Sequence, residues 1–423
     1  MKFYKILLYL MVLASIASAE NKTLNLSDCI KIAHQNNPEL LTYRESLIAY
    51  QHKEKSLFKD MLPDISLSWS GREVYEEPTD AYATTISVNQ TLFNGMRNYT
   101  NWKTAGLQTQ YAALEMIRQY QSVTCRVKKA WYNLLKTQEL LDETTQSLER
   151  LKQHASNAAH FFKEGWIWRT DVLEAQVQVA RGEQAKIVAE NNLARAQASL
   201  NVLMHRDVNT DLIIDDHLAW KPNNWTYEAA REQSLTNRPD LIQAKIDLEK
   251  SQQALTIEKA PYYPVVSAKA SWAKSDRYMD MHTGTENLSG QLSASWTIWE
   301  WGKTTESIAA AKATVRKNRL NIERIEDQLM LEIQETWLSV QEADKKLTVL
   351  KQALAQGKEN YRVNIIRYRE RLGTAKDVLD AQDLLTATRK DYISALAEYL
   401  TALANLDFAI GKKQYDIYRV KSK

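Results

Sequence analysis

The chain has 423 residues, a quarter of them charged, and a formal net charge of +3 that falls to +1 once Lys2 and Lys5 are set aside. So even a balance gives no argument for a nucleic-acid partner or an acidic substrate. Glycine and proline are scarce (11 and 7), and the prolines, at 38, 63, 78, 222, 239, 261 and 264, leave 79–221 and everything after 264 free of them. Two long proline-free tracts are what very long helices require, because an interior proline removes a backbone bond and clashes with the preceding turn.

Residues 1–19 read as a secretory signal: a basic head at Lys2 and Lys5, an apolar run from Ile6 to Ile16, and the cleavage pattern Ala17-Ser18-Ala19. The run is too short to span a bilayer, no later run offers a helical span, and no cysteine follows in a lipid-anchor context. Cys29 and Cys125 either pair in an oxidising compartment or sit apart on helix faces, and two cysteines do not decide it.

A helix over about 27–61 opens at Ser27 or Asp28, kinks or restarts at Pro38 and stops at Leu62-Pro63. The period then changes to two. Ile65, Leu67 and Trp69 alternate with serines at 66, 68 and 70, and after a turn containing Pro78, Tyr82, Thr84, Ile86, Val88 and Leu92 alternate with Thr85, Ser87, Asn89 and Thr91. This predicts a strand hairpin over about 64–93. Helices over about 97–162 and 170–204 follow, broken at Gly165; the first spans roughly 100 Å at ~1.5 Å per residue, so an elongated molecule is expected. Residues 206–226 read as a linker outside the helical body. A second helix (about 227–260), hairpin (about 264–299) and helix pair (about 303–368 and 376–410) come next, then a basic tail over 413–423.

The second set repeats the first. Asp171-Val172-Leu173-Glu174-Ala175-Gln176 returns 206 residues later as Asp377-Val378-Leu379-Asp380-Ala381-Gln382, and the same offset pairs Phe93 with Trp299, Trp131 with Trp337 and Leu200 with Leu406. The chain therefore divides into repeats at 20–225 and 226–412. Within the long helices the apolar spacing is seven, as in Ile333, Val340, Leu347, Leu354, Tyr361 and Tyr368, which means coiled-coil packing.

Strands of about ten residues with one apolar face, one Ser/Thr face and aromatics towards the ends (Tyr75, Tyr82, Phe93, Trp272, Trp296, Trp299, Trp301) have the pattern of transmembrane β-strands. A small soluble sandwich with one wet face is the alternative, but four strands leave it no second sheet. Four strands in lipid have two open edges, so other copies of the chain must close them. The expected fold class is mainly α with a transmembrane β part: two repeats of strand hairpin plus long coiled-coil helices, forming an oligomeric β-barrel stacked on an α-helical barrel with a polar lumen.

The chain resembles the TolC-type outer membrane channel-tunnel family over about 24–412. The resemblance rests on the paired starts Asn37-Pro38-Glu39-Leu40 and Arg238-Pro239-Asp240-Leu241, on Leu62-Pro63 and Tyr263-Pro264, on Thr91-Leu92-Phe93-Asn94-Gly95, and on Gly165 followed by 171–176 with its second copy. It implies a homotrimer with a twelve-stranded barrel in outer membrane lipid and a periplasmic α-barrel. The implied role is an exit duct for drug efflux or type I secretion, joined through a periplasmic adaptor (membrane fusion) protein to an inner-membrane pump that supplies the energy, with no cofactor.

The resemblance also implies a periplasmic aperture with acids at Asp377 and Asp380, matched by Asp171 and Glu174 in the first repeat. Its closed tip is latched by a Tyr and an Arg of the second hairpin bonding to an acid of the first. Tyr368 stands at the Tyr position, while Gly373 replaces the Arg, with Arg369 or Arg371 as substitutes. Gly165 matches an adaptor-contact glycine whose second-repeat counterpart is Arg371. The residues alone leave the acids open: both pairs also suit a helix N-terminus, a capping acid and another near the positive dipole end. Trp166 and Trp168 serve either as partner contacts or as packing between hairpins. The histidines and cysteines make no metal-ligand spacing, and no phosphate loop or nucleophile elbow occurs, so no enzymatic activity is expected. The rival functional reading is an elongated periplasmic coiled-coil scaffold.

Overall fold

In the computed structural model, residues 23–72, 81–276 and 284–411 are described. The signal segment, the turn with Tyr75 and Pro78, and the basic tail lie outside them. In chain order the elements are α1 (Leu26–Asn36), α2 (Pro38–Lys59), β1 (Asp64–Arg72), β2 (Ala81–Asn94), α3 (Arg97–Lys163) and α4 (Arg169–Leu203). The second repeat follows with α5 (Tyr227–Asn237), α6 (Pro239–Glu258), β3 (Val265–Asp276), β4 (Thr285–Ser295), α7 (Lys303–Arg369) and α8 (Ala375–Ala409). The repeats agree in length: α3 and α7 have 67 residues each, α4 and α8 have 35, and α1 and α5 have 11.

Each helix expected before a hairpin is in fact two. Asn37 and Arg238 take extended backbone (ψ 120 for both), and the following proline begins the next helix. The proline ring excludes the residue before it from helical geometry and is itself suited to a first helical position. Asn37 then caps α2 by accepting from the Glu39 N–H (3.0 Å) and donates to the Leu203 carbonyl (2.9 Å). Arg238 instead grips Asp240 through two nitrogens, at 3.0 and 2.6 Å.

The chain divides into two compact units. One comprises Thr42–Arg118 and Arg238–Gln328 and holds a four-stranded antiparallel sheet in the order β1-β2-β3-β4. Its register sets whole rows across the sheet. Leu67, Ile86, Trp272 and Leu288 form one, and Ile65, Val88, Ala270 and Gly290 the next, all on one face. The opposite face carries Ser66, Ser87, Ser271 and Ser289, with hydroxyl pairs Ser66–Ser87 and Ser271–Ser289 at 2.9 Å. The apolar face is open, with Leu67 71% and Leu288 79% exposed. Trp272 lies within this face rather than at a strand end. β4 also ends at Ser295 rather than near 299, because Ser295 pairs with Val265 and the preceding Pro264 has no N–H to continue the ladder. Trp296, Trp299 and Trp301 therefore stand beyond the strand, all exposed.

The strand-to-helix junctions use two consecutive left-handed residues in both repeats: Gly95-Met96 (φ 65 and 67) and Trp301-Gly302 (φ 53 and 83). A Cβ on Gly95 would lie 2.7 Å from the Ala260 carbonyl oxygen, whereas a Cβ on Gly302 meets nothing within 4 Å. Gly302→Ala is expected to cost only the left-handed penalty of about 1 kcal/mol. Gly95→Ala adds backbone displacement of about 1–3 kcal/mol. Thermal unfolding of the two variants side by side checks the difference; equal losses would contradict it.

The other unit comprises Gln119–Asn237 with the described parts of 1–41 and 329–423. Its core runs along the seven-residue seams: Leu134 and Leu148 of α3, Ile333, Val340 and Leu347 of α7, and Leu385, Tyr399 and Leu406 of α8 are all buried. Cys29 and Cys125 are buried thiols rather than a disulfide, and burial pushes the Cys29 thiol up to about 12. The segment 205–226 is irregular, as expected, but it is fastened into this unit. Leu212 and Leu218 are buried, Asn201 donates to the carbonyls of Val208 and Thr210 (3.3 and 2.7 Å), and the Tyr399 hydroxyl donates to the Lys221 carbonyl (2.7 Å). Glu143 bridges α3 and α8 by accepting from Arg150 (2.7 Å) and Arg389 (2.6 Å) with almost no solvent contact.

Candidate functional site

The turns between α3 and α4 and between α7 and α8 bring most of the expected site residues together, and they are built alike. In the first, Gly165 (φ 77) follows the helix, the Trp166 N–H donates to the Phe161 carbonyl (2.9 Å) and the Gly165 N–H to that of Phe162 (3.0 Å). In the second, Arg371 (φ 62) takes the glycine's place, with Leu372 N–H to Arg367 carbonyl (2.7 Å) and Arg371 N–H to Tyr368 carbonyl (3.1 Å). Both are helix ends closed by a left-handed residue, a geometry that favours glycine. An arginine there carries a backbone penalty of about 1–2 kcal/mol. Its side chain offers the compensation: the Arg371 guanidinium lies 4.1 Å from the centre of the Trp166 ring.

That contact heads an aromatic chain joining the two turns. Trp166 packs on Phe161 (5.4 Å between centroids), Phe161 on Tyr368 (5.6 Å) and Tyr368 on His154 (5.7 Å). Trp168 takes no part and is 81% exposed. Trp166 touches Phe161 and the Arg371 guanidinium while remaining 52% exposed, and Trp168 presents its ring to solvent.

Both leading acids cap helices. The Asp377 carboxylate accepts from the Thr374 N–H (2.9 Å), and the Thr374 hydroxyl accepts from the Asp377 N–H (3.2 Å). These bonds hold the Asp377 carboxyl below its usual range, and the carboxyl is fully exposed. Asp171 accepts from the Trp168 N–H at 3.2 Å. Glu174 and Asp380 are exposed on the next turns of α4 and α8. A Tyr368 hydrogen bond to an acid of the first hairpin is not present. The Tyr368 hydroxyl is buried without a partner among the described residues, and burial and the Asp171 charge both push it up. Gly373 lies beside Arg367 and Asp377, where an added Cβ meets Arg367 at 3.4 Å.

Several residues of this site escaped the sequence reading. Asp383, one turn beyond Asp380 and pushed up by burial and by the Asp380 charge, extends the acidic row. Its i+3 spacing was legible. Phe161 and His154, seven residues apart on α3, stand one position off the register of Leu134, Leu141 and Leu148. What they touch was not legible.

A family model described as outer membrane efflux protein matches residues 29–204 and 230–412. The chain belongs to that family. The two matched stretches each carry one repeat. This outer membrane efflux protein is similar to the outer membrane protein TolC of Escherichia coli K12, 20% identical over 421 residues covering 94% of this chain and 83% of that one. It is also similar to the alkaline protease secretion protein AprF of Pseudomonas aeruginosa, 20% identical over 343 residues, covering 78% and 70%. Among solved structures, the CmeC outer membrane channel of Campylobacter jejuni matches with a TM-score of 0.82 at 14% identity, over 93% of this chain and 86% of that one. The protein resides in the outer membrane and is an exit duct of efflux or secretion.

Proposed function

We propose that three copies of this chain close their four-stranded sheets into one twelve-stranded barrel. A periplasmic adaptor docks at the hairpin tips, and an inner-membrane pump drives substrate through the duct. The observation that carries the closure is the sheet itself. β1 and β4 are edges with one apolar and one serine-lined face, and lipid supplies no partner for an edge. Further copies of the same sheet satisfy both edges and leave the serine rows facing a wet lumen. The exposed Trp168 and Leu372 at the turns suit a partner's apolar pockets, with Gly165 and Arg371 shaping the surface they stand on. The duct performs no chemistry of its own, since the work lies in the pump.

Asp377 and Asp380 then act twice, as the start of α8 and as fixed negative charge at the periplasmic aperture. The test is single-channel conductance in planar bilayers, with oligomeric mass measured in the same detergent, on the parent and on Asp377→Ala with Asp380→Ala. A trimer with a small, stable, cation-preferring conductance is expected, and the double variant should lose that preference. A monomer without conductance removes the closure argument, and unchanged selectivity removes the acids from the aperture.

A further inference from the structure

A cavity of about 130 Å³ lies between α3 and α7, below the hairpin tips. Its polar lining is Arg150, Gln153, His154 and Asn157 from α3 with Tyr361, Tyr368 and Arg369 from α7, and no carboxylate lines it. Seven buried side-chain polar atoms lack a partner among the described residues, and three of them belong to this lining: Arg150 Nε, His154 Nε2 and the Tyr368 hydroxyl. Each orphan of this kind is costly, and three of the seven gathered around a single space call for an explanation.

The arrangement has identifiable causes. Arg150 is drawn to Glu143 through its outer nitrogen (2.7 Å), which leaves Nε–H turned elsewhere. His154 is only 6% exposed, on the same buried face as Leu151 and Ala158, and so cannot reach solvent to satisfy Nε2. Tyr368 is fixed by its ring contacts with Phe161 and His154, so its hydroxyl cannot swing out to water. A guanidinium Nε–H can only donate, and the hydroxyl and a protonated Nε2 donate as well. Glu143 engages only the outer nitrogen of Arg150, and Asp171 acts on Tyr368 from outside the lining. The convergent donors and two arginine charges that face the space describe a receptor for an anion with acceptor atoms on several sides.

We propose that this cavity is a binding site for one small tetrahedral oxyanion of the phosphate or sulfate class, held by Arg150, His154 and Tyr368, with Arg369 at its edge. A space of this size admits such an ion in place of a few waters. The bound ion would bridge α3 and α7 immediately below the turns.

Titration calorimetry and thermal unfolding of the full-length detergent-purified protein test this, with inorganic phosphate and sulfate set against acetate and chloride at matched ionic strength. Saturable binding of phosphate and sulfate at one site per chain, with a rise in unfolding temperature, is expected. Tyr368→Phe keeps the ring packing and removes one donor, and Arg369→Gln removes an exposed charge without disturbing the core. Each should weaken phosphate binding, Arg369→Gln by about tenfold, the loss of one charge-assisted hydrogen bond. No saturable binding, an equal response to acetate or chloride, or unchanged affinity in both variants would overturn the proposal. Neither readout involves conduction, so the outcome is separate from that of the bilayer experiment.

Discussion

Arg371→Gly should raise the open fraction of the duct about fivefold while leaving the fold intact. The position is left-handed (φ 62), so glycine fits it better than arginine does and makes the second turn like the first, where Gly165 stands. What the substitution removes is the guanidinium 4.1 Å from the Trp166 ring. A partly exposed contact of this type contributes about 1 kcal/mol, which corresponds to roughly a fivefold change in an equilibrium between joined and separated tips. Arg371→Lys keeps the cation and should lie between parent and glycine variant. The measurement is single-channel open probability, with unfolding temperature as the control. If both variants conduct like the parent while folding normally, the stack does not hold the tips together. The contact sets a cation on an aromatic face two residues before Gly373.

Trp131→Ala should destabilise the helical unit by about 3–5 kcal/mol, the range for removing a fully buried large aromatic. Trp131 is 1% exposed and lies within the main cluster beside Val127 and Leu134. Its counterpart at the same place in the second repeat, Trp337, is only half-buried. Trp337→Ala is therefore expected to cost clearly less in unfolding. Chemical unfolding followed by circular dichroism, in the detergent used for purification, distinguishes the two. Equal losses would mean that Trp337 is covered as fully as Trp131 in the assembled protein, and the oligomeric mass of Trp337→Ala would then be the next quantity to measure.

These two predictions come from opposite kinds of information. The repeat, the helix lengths and the alternating strands were legible in the chain because each rests on a local period or on spacing alone. Seven-residue apolar steps, two-residue alternation and the absence of proline act within one element, whatever surrounds it. The face assignment along each strand followed for the same reason: a one-residue slip would turn every serine of 66, 87, 271 and 289 to the other side. Short-range punctuation was harder. Pro38 announced a disturbance, while the helix holding Pro239 was expected unbroken; both restart, with Asn37 bonding across to Leu203 in α4 and Arg238 gripping Asp240 two residues on. The end of β4 depended on where its partner strand began.

By itself, then, the sequence determined a duplicated chain of long helices and membrane-suited strands, and it placed Asp171, Asp377, Gly165 and Arg371 at two equivalent turns. Tertiary structure alone decided how the equivalence is broken. Residues 206 apart share a backbone conformation because backbone geometry is local, yet Trp131 is sealed and Trp337 is half open, and glycine and arginine occupy the same left-handed position. It also decided which neighbours the side chains meet: Arg371 finds a tryptophan, Tyr368 finds no carboxylate, and three donors face one cavity. Periodicity fixes which face of a helix a side chain occupies, and only the packing of one helix against another fixes what that face touches.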